Sequence, residues 1–148
     1  MRVEKDFKEF IALLNKNNVR YLIIGGFAYS YYAEPRFTKD IDILIEPSPG
    51  NAEKTLAAIK EFGFDDIGLS SDDFLVPDQV IQLGIAPLRI NLLTSTKGID
   101  FAAAWENRIT GRYGEINAFF ISKADLIKNK RASGRKQDLA DIEKLKKI

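Results

Sequence analysis

The sequence predicts a mixed α/β domain, with a central, partly antiparallel sheet flanked by helices. Three observations predict it. Short apolar runs such as Tyr21-Leu22-Ile23-Ile24 have the length and composition of buried strands. They alternate with segments whose apolar residues recur at helical spacing, as Phe7, Phe10, Ile11 and Leu14 do. Two pairs of neighbouring apolar runs, joined through Ala86-Pro87 and Gly114, read as antiparallel pairs.

Taken in order, residues from about Val3 to Asn15 read as an amphipathic helix. Tyr21 to Ile24 is a buried strand with a tight exit at Gly25-Gly26. Phe27 to Tyr32 reads as a short helix closed by Pro35, and Phe37 to Ile45 as the second strand. Pro47-Ser48-Pro49-Gly50 marks a break. Leu56, Ile59 and Phe62 give the next helix its apolar face, with Gly63 as its C-terminal stop. Asp65 to Asp78 has the weakest pattern and reads as a surface loop. Val80 to Ile85 and Leu88 to Leu93 are the next strands, and Phe101 to Trp105 a short helix. Ile109 to Tyr113 and Glu115 to Phe120 form a hairpin. Ser122 with Asp125 resembles a helix-starting pair, and the chain ends in two helices hinged near Ser133-Gly134.

The 148 residues suit a single domain, 1–148, with no repeat and no linker. Hydrophobic residues at 45% and charged residues at 29% are ordinary for a soluble protein, and no apolar run suits a membrane span. The N-terminus lacks a signal-peptide core, so the expected location is the cytoplasm. The chain has no cysteine and no histidine, which excludes thiol nucleophiles, imidazole bases and Cys/His metal sites. Acid–base work falls to carboxylates, lysine or tyrosine. The net charge is +1, yet Lys123 to Ile148 carries nine basic and four acidic residues. A basic segment of this kind suits a polyanion, although a solvated helical face has the same composition.

The chemistry concentrates in Thr38-Lys39-Asp40-Ile41-Asp42-Ile43-Leu44-Ile45, just after Gly25-Gly26. Strand alternation puts Asp40 and Asp42 on one face and Ile41, Ile43 and Ile45 on the other. Paired carboxylates repel each other unless a cation sits between them, and hard oxygen ligands of this kind suit Mg²⁺. Mn²⁺ is the alternative cation. Glycines at a strand-to-helix turn bare backbone N–H groups for a phosphate. Each feature also has a plainer reading. Gly-Gly is often just a turn, Arg36 or Lys39 can pair with the acids, and Lys130 and Arg135 have the look of surface residues. Asp138 and Asp141 can pair with nearby lysines, and Tyr29, Tyr31 and Tyr32 suit packing or stacking on a base.

Gly25-Gly26 followed by Arg36-x-Thr38-x-Asp40-Ile41-Asp42 resembles the opening motif of the nucleotidyltransferase superfamily, the DNA polymerase β-like fold. The form of the motif is similar to that of minimal bacterial members, including AbiEii-type toxins of toxin–antitoxin and phage-defence systems. A second match runs from Leu126 through Lys130 to Arg135, Asp138 and Asp141, so the resemblance spans most of the chain. It implies a nucleotidyltransferase-like mixed sheet and Mg²⁺-dependent transfer of a nucleoside monophosphate from a nucleoside triphosphate. The acceptor would be RNA, protein or a small molecule, and an antitoxin or other second chain would be a partner. In that reading Asp40 and Asp42 hold the metal, and Gly25 and Gly26 admit the triphosphate. Thr38 hydrogen-bonds a phosphate, and Arg36, Lys130 and Lys136 neutralise it.

One position departs from the family pattern. The third carboxylate, expected on a later strand, is Asn91 in Arg89-Ile90-Asn91-Leu92-Leu93. An amide carbonyl can ligate a metal but cannot act as a general base. Two readings follow: an enzyme working through Asp40 and Asp42, or a catalytically impaired nucleotide-binding, regulatory protein of the same fold.

Overall fold

Four consecutive apolar residues build the strand at the centre of the molecule, β1 (Tyr21–Ile24), which is buried on both faces. The protein is described by a computed structural model covering residues 3–64, 67–84 and 87–148. Before β1 comes α1 (Lys5–Lys16), whose Phe7, Phe10, Ile11 and Leu14 are buried along one stripe. After it come α2 (Gly25–Tyr32), β2 (Asp40–Ile45), α3 (Pro49–Glu61), β3 (Val80–Leu83) and β4 (Arg89–Leu93). The chain continues through α4 (Phe101–Glu106), β5 (Ile109–Tyr113), β6 (Ile116–Phe120), α5 (Lys123–Ser133) and α6 (Lys136–Lys146).

The strands form one mixed sheet in the order β3-β4-β2-β1-β6-β5. β1 runs antiparallel to β2 and parallel to β6. β2 and β4 are parallel, while β3–β4 and β5–β6 are antiparallel. Alternation along the strands divides the core into two layers. Ile23, Ile41, Ile43 and Ile45 pack with α1 and with Ala58 and Ile59 of α3. On the other face, Leu22, Ile24 and Leu44 pack with Tyr29, Ala104, Leu126 and Leu145. Asp40 and Asp42 project on this second side, in step with Leu44.

Several boundaries differ from the sequence expectation. α2 starts at Gly25 rather than Phe27, and β2 at Asp40 rather than Phe37. Residues 33–39 form an irregular approach, with the Thr38 hydroxyl folded back on the Asp40 backbone. The expected break at Pro47–Gly50 holds the start of α3, because proline suits a first helical turn, where its missing N–H costs nothing. The buried face of α3 is Asn51, Ala52, Thr55, Ala58 and Ile59; Leu56 and Phe62 only flank the core. The stretch read as a surface loop contains a 3₁₀ turn, Ser71–Phe74, whose Phe74 is fully buried. Asp65, Asp66, Ile85 and Ala86, which fall in that loop and in the β3–β4 connection, lie outside the described residues. As expected, Ser122 caps α5 by accepting the Asp125 N–H, and Gly134 ends it in a left-handed conformation.

Candidate active site

The sheet register assembles the acid pair with residues far away in sequence. Asp42 lies opposite Asn91 on β4, and Asn91 opposite Gln82 on β3. Asn91 Nδ2 donates to Asp42 Oδ1 at 3.0 Å, and Gln82 Nε2 donates to Asn91 Oδ1 at 3.0 Å. The other Asp42 oxygen faces the strand-to-helix turn. Gly25 has φ +65°, and a Cβ there would lie 2.5 Å from Asp42 Oδ2. That position therefore requires glycine twice over, for its backbone angle and for its space. At Gly26 a Cβ would make an ordinary 3.5 Å contact with Thr38, so its glycine answers no crowding.

Asp40 Oδ1 is buried and has no hydrogen-bond partner. Burial pushes the Asp42 carboxyl above its ordinary value. The Asn91 hydrogen bond opposes the shift, the Asp40 charge adds to it, and the Arg135 charge opposes it. Among the described residues no lysine or arginine forms an ion pair with either acid. A buried carboxylate oxygen without a partner is costly. That oxygen and the Asp42 carboxylate on the same face, with only oxygen donors to offer, fit one Mg²⁺. Among the described residues no third acid joins them in a cluster of three ligating side chains. Asn91 stands in the third position and presents an N–H there.

The basic residues are arranged differently from expectation. Arg36 forms a two-pronged pair with Asp141, at 2.9 and 2.6 Å, and lies 4.0 Å over the Tyr29 ring. Lys130, which has the look of a surface residue in the sequence, is buried and donates to the same Asp141 at 2.9 Å. Both cations are thus committed to docking α6 against α2 and α5. Burial pushes the Asp141 carboxyl up, but hydrogen bonds from Arg36, Lys130 and Gln137 outweigh it and hold the group well below the usual carboxylate range. Lys136 is exposed on the first turn of α6. Arg135 binds Asp138 at 2.9 Å through Nε, and 79% of its side chain is exposed. Its charge is felt at Asp42, where it opposes the upward shift of that carboxyl. Tyr29, Tyr31 and Tyr32 all have packing roles: Tyr31 stacks on Phe120 at 4.2 Å, and the Tyr32 hydroxyl donates to the Ile121 carbonyl.

Gln82 and the role of Arg135 were not legible in the sequence. Gln82 carries no motif, and its relation to Asp42 exists only through strand register. Arg135 had a signal, since Asp138 follows at helical spacing, but nothing in the spacing directs its charge toward β2.

Similarity to known proteins agrees with this architecture. An antigenic nucleotidyltransferase-like protein from Paracoccidioides brasiliensis superposes with a TM-score of 0.55. The match covers 95% of this chain and 74% of that one at 16% identity, so the likeness is one of fold. No curated protein shows significant similarity. Residues 2–147 match the family described as "Nucleotidyltransferase of unknown function (DUF6036)". With nearly the whole chain matched and the sheet of a nucleotidyltransferase-like structure, the protein belongs to this nucleotidyltransferase family.

Proposed function

We propose that the protein transfers a nucleoside monophosphate from a nucleoside triphosphate to an acceptor hydroxyl, using Mg²⁺ (or Mn²⁺) held by Asp40 and Asp42. The observation that carries this reading is the unpartnered, buried Asp40 Oδ1 beside Asp42, at a turn where Gly25 admits no side chain. A divalent cation there supplies charge neutralisation and Lewis-acid polarisation at the transferred phosphate. The remaining work belongs to the chain. The α2 N-terminus, which opens at Gly25 and Gly26, offers the backbone N–H groups of its first turn to phosphate oxygens. Arg135 and Lys136 supply positive charge from the α6 side. Arg36 and Lys130 act indirectly, by fixing α6. The acceptor oxygen bonds to the α-phosphorus, the bond to the β-phosphate breaks, and pyrophosphate leaves. The acceptor proton passes to water, because the Asn91 amide is no base. Turnover is accordingly slow. RNA, a protein or a small molecule suits the acceptor role, and a toxin–antitoxin or defence setting in the cytoplasm, with a second chain as partner, fits the resemblance.

A second reading rests on Asn91 donating to Asp42. The protein then binds Mg²⁺–nucleotide without turnover. Calorimetric titration of each nucleoside triphosphate, with and without Mg²⁺, tests the site. Binding should require the metal and disappear in Asp40→Ala/Asp42→Ala. If no triphosphate binds, both readings fall. Radiolabel transfer with the tightest-binding triphosphate then separates them. Transfer by the wild type supports the enzyme. Transfer that appears only in Asn91→Asp supports the binding protein.

A further inference from the structure

We propose that Gln82 is the positioning partner of Asn91, and that the two side-chain amides turn over together when a divalent cation enters. Asn91 then exchanges its N–H bond to Asp42 for a carbonyl oxygen aimed at the cation. The inference rests on reading Asp40 and Asp42 as a cation site.

An ionised carboxylate only accepts hydrogen bonds, so the 3.0 Å contact to Asp42 Oδ1 fixes the Asn91 NH₂ group inward. In that orientation the amide hydrogens face the acids and oppose an incoming cation. The Asn91 carbonyl is left pointing outward, where Gln82 Nε2 donates to it at 3.0 Å. Gln82, Asn91 and Asp42 sit directly opposite one another across β3, β4 and β2, so the three form a straight row. Turning the Asn91 amide over requires only rotation about its terminal side-chain bond. Its NH₂ group would then face Gln82. Glutamine satisfies that state as well, because its own amide can turn and present Oε1 as acceptor. Lysine at this place would satisfy only the inward N–H state, and glutamate only the inward carbonyl state. An amide satisfies both. Gln82 lies on the exposed outer strand, so its turning displaces no core residue. The pair thereby offers the cation a third, neutral oxygen where the family pattern has an acid.

The test measures Mn²⁺ affinity by the electron paramagnetic resonance of free Mn²⁺, with a non-hydrolysable ATP analogue present. Gln82→Glu should tighten Mn²⁺ binding and Gln82→Lys weaken it, each by on the order of tenfold, the worth of about one hydrogen bond. Both effects should vanish in an Asn91→Leu background. If they persist there, simple charge explains them and the relay is overturned. A second readout uses the wild-type side-chain amide resonances of Asn91 and Gln82 during Mg²⁺ titration with the same analogue. Both should shift in step with binding. Metal binding that leaves the Asn91 amide unchanged overturns the relay but leaves the cation site standing. Failure of wild type to bind Mn²⁺ overturns the cation site and the relay with it.

Discussion

A single glycine carries an unusual share of the candidate site. Gly25 joins β1 to α2 at φ +65°, and its missing side chain leaves the space that Asp42 Oδ2 occupies. Alanine there would be strained by roughly 1–2 kcal/mol in backbone conformation, and its methyl would displace the carboxylate. Gly25→Ala is expected to lower stability by about that amount and to reduce Mg²⁺–nucleotide binding at least about tenfold. Urea denaturation and calorimetry check the two effects. Gly26→Ala is the contrast, because its methyl meets Thr38 at an ordinary 3.5 Å. It should keep full stability; an equal loss in both variants would mean that the turn, not the Asp42 contact, sets the requirement. At Asn91 shape and chemistry part company. The amide keeps the hydrogen-bonded row intact but brings neither the charge nor the basicity of an acid.

Among the elements, the α5–α6 pair shows how a buried charge network can serve a site without touching it. Asp141 is 1% exposed and receives Arg36, Lys130 and Gln137. Its carboxyl lies well below the ordinary carboxylate range when folded, so its protonation opposes folding. The stability it contributes is complete above the unfolded value of about pH 4. That stability is lost as pH falls through the lower folded value. Asp141→Asn should cost about 3–5 kcal/mol at pH 7, since it removes the main counter-charge of buried Lys130 and of half-buried Arg36. The gap between the two proteins should narrow as pH falls from 4 toward 2. Urea unfolding of both at pH 7 and pH 2.5 measures it, and an unchanged gap would remove Asp141 as the acid-sensitive group. Loss of α6 docking should also move Arg135 away from Asp42 and weaken nucleotide binding in step.

At the level of the whole molecule, two apolar layers share one sheet, with β1 and β2 contributing to both. Neither layer keeps its strands if the other is lost, so unfolding should be a single cooperative transition. Trp105, the only tryptophan in the chain, packs against the second layer. Its fluorescence and the far-ultraviolet circular dichroism of the whole chain should therefore give the same thermal midpoint. An earlier fluorescence transition would show that the α4–α6 layer unfolds independently. The acid pair lies on that same side, so such early loosening would abolish nucleotide binding before the sheet melted.

How much of this was legible follows from the range of each interaction. Tyr21–Ile24, the stripe Phe7-Phe10-Ile11-Leu14 and the Ser122 cap are local patterns, and they form as the sequence predicts. The placement of Asp40 and Asp42 on one face is also local, since a strand alternates whatever surrounds it. The irregular 33–39 stretch and the buried Phe74 were not legible, because each is settled by contacts with distant residues, Arg36 with Asp141 and Phe74 with the core, that outweigh local preference. The same holds for charge. Lys130 reads as a surface residue on composition, yet it is buried because Asp141, one helix later, supplies its counter-charge. Gln82 lies nine residues from Asn91, and Asn91 forty-nine from Asp42. The sequence by itself determined most of the elements and the paired acids, since each is a matter of residue identity and short-range period, while the absent third carboxylate at Asn91 was legible only through the family resemblance. Only the tertiary structure decided which cations are spent on packing and which amide faces the acids, because strand register and helix docking set those distances.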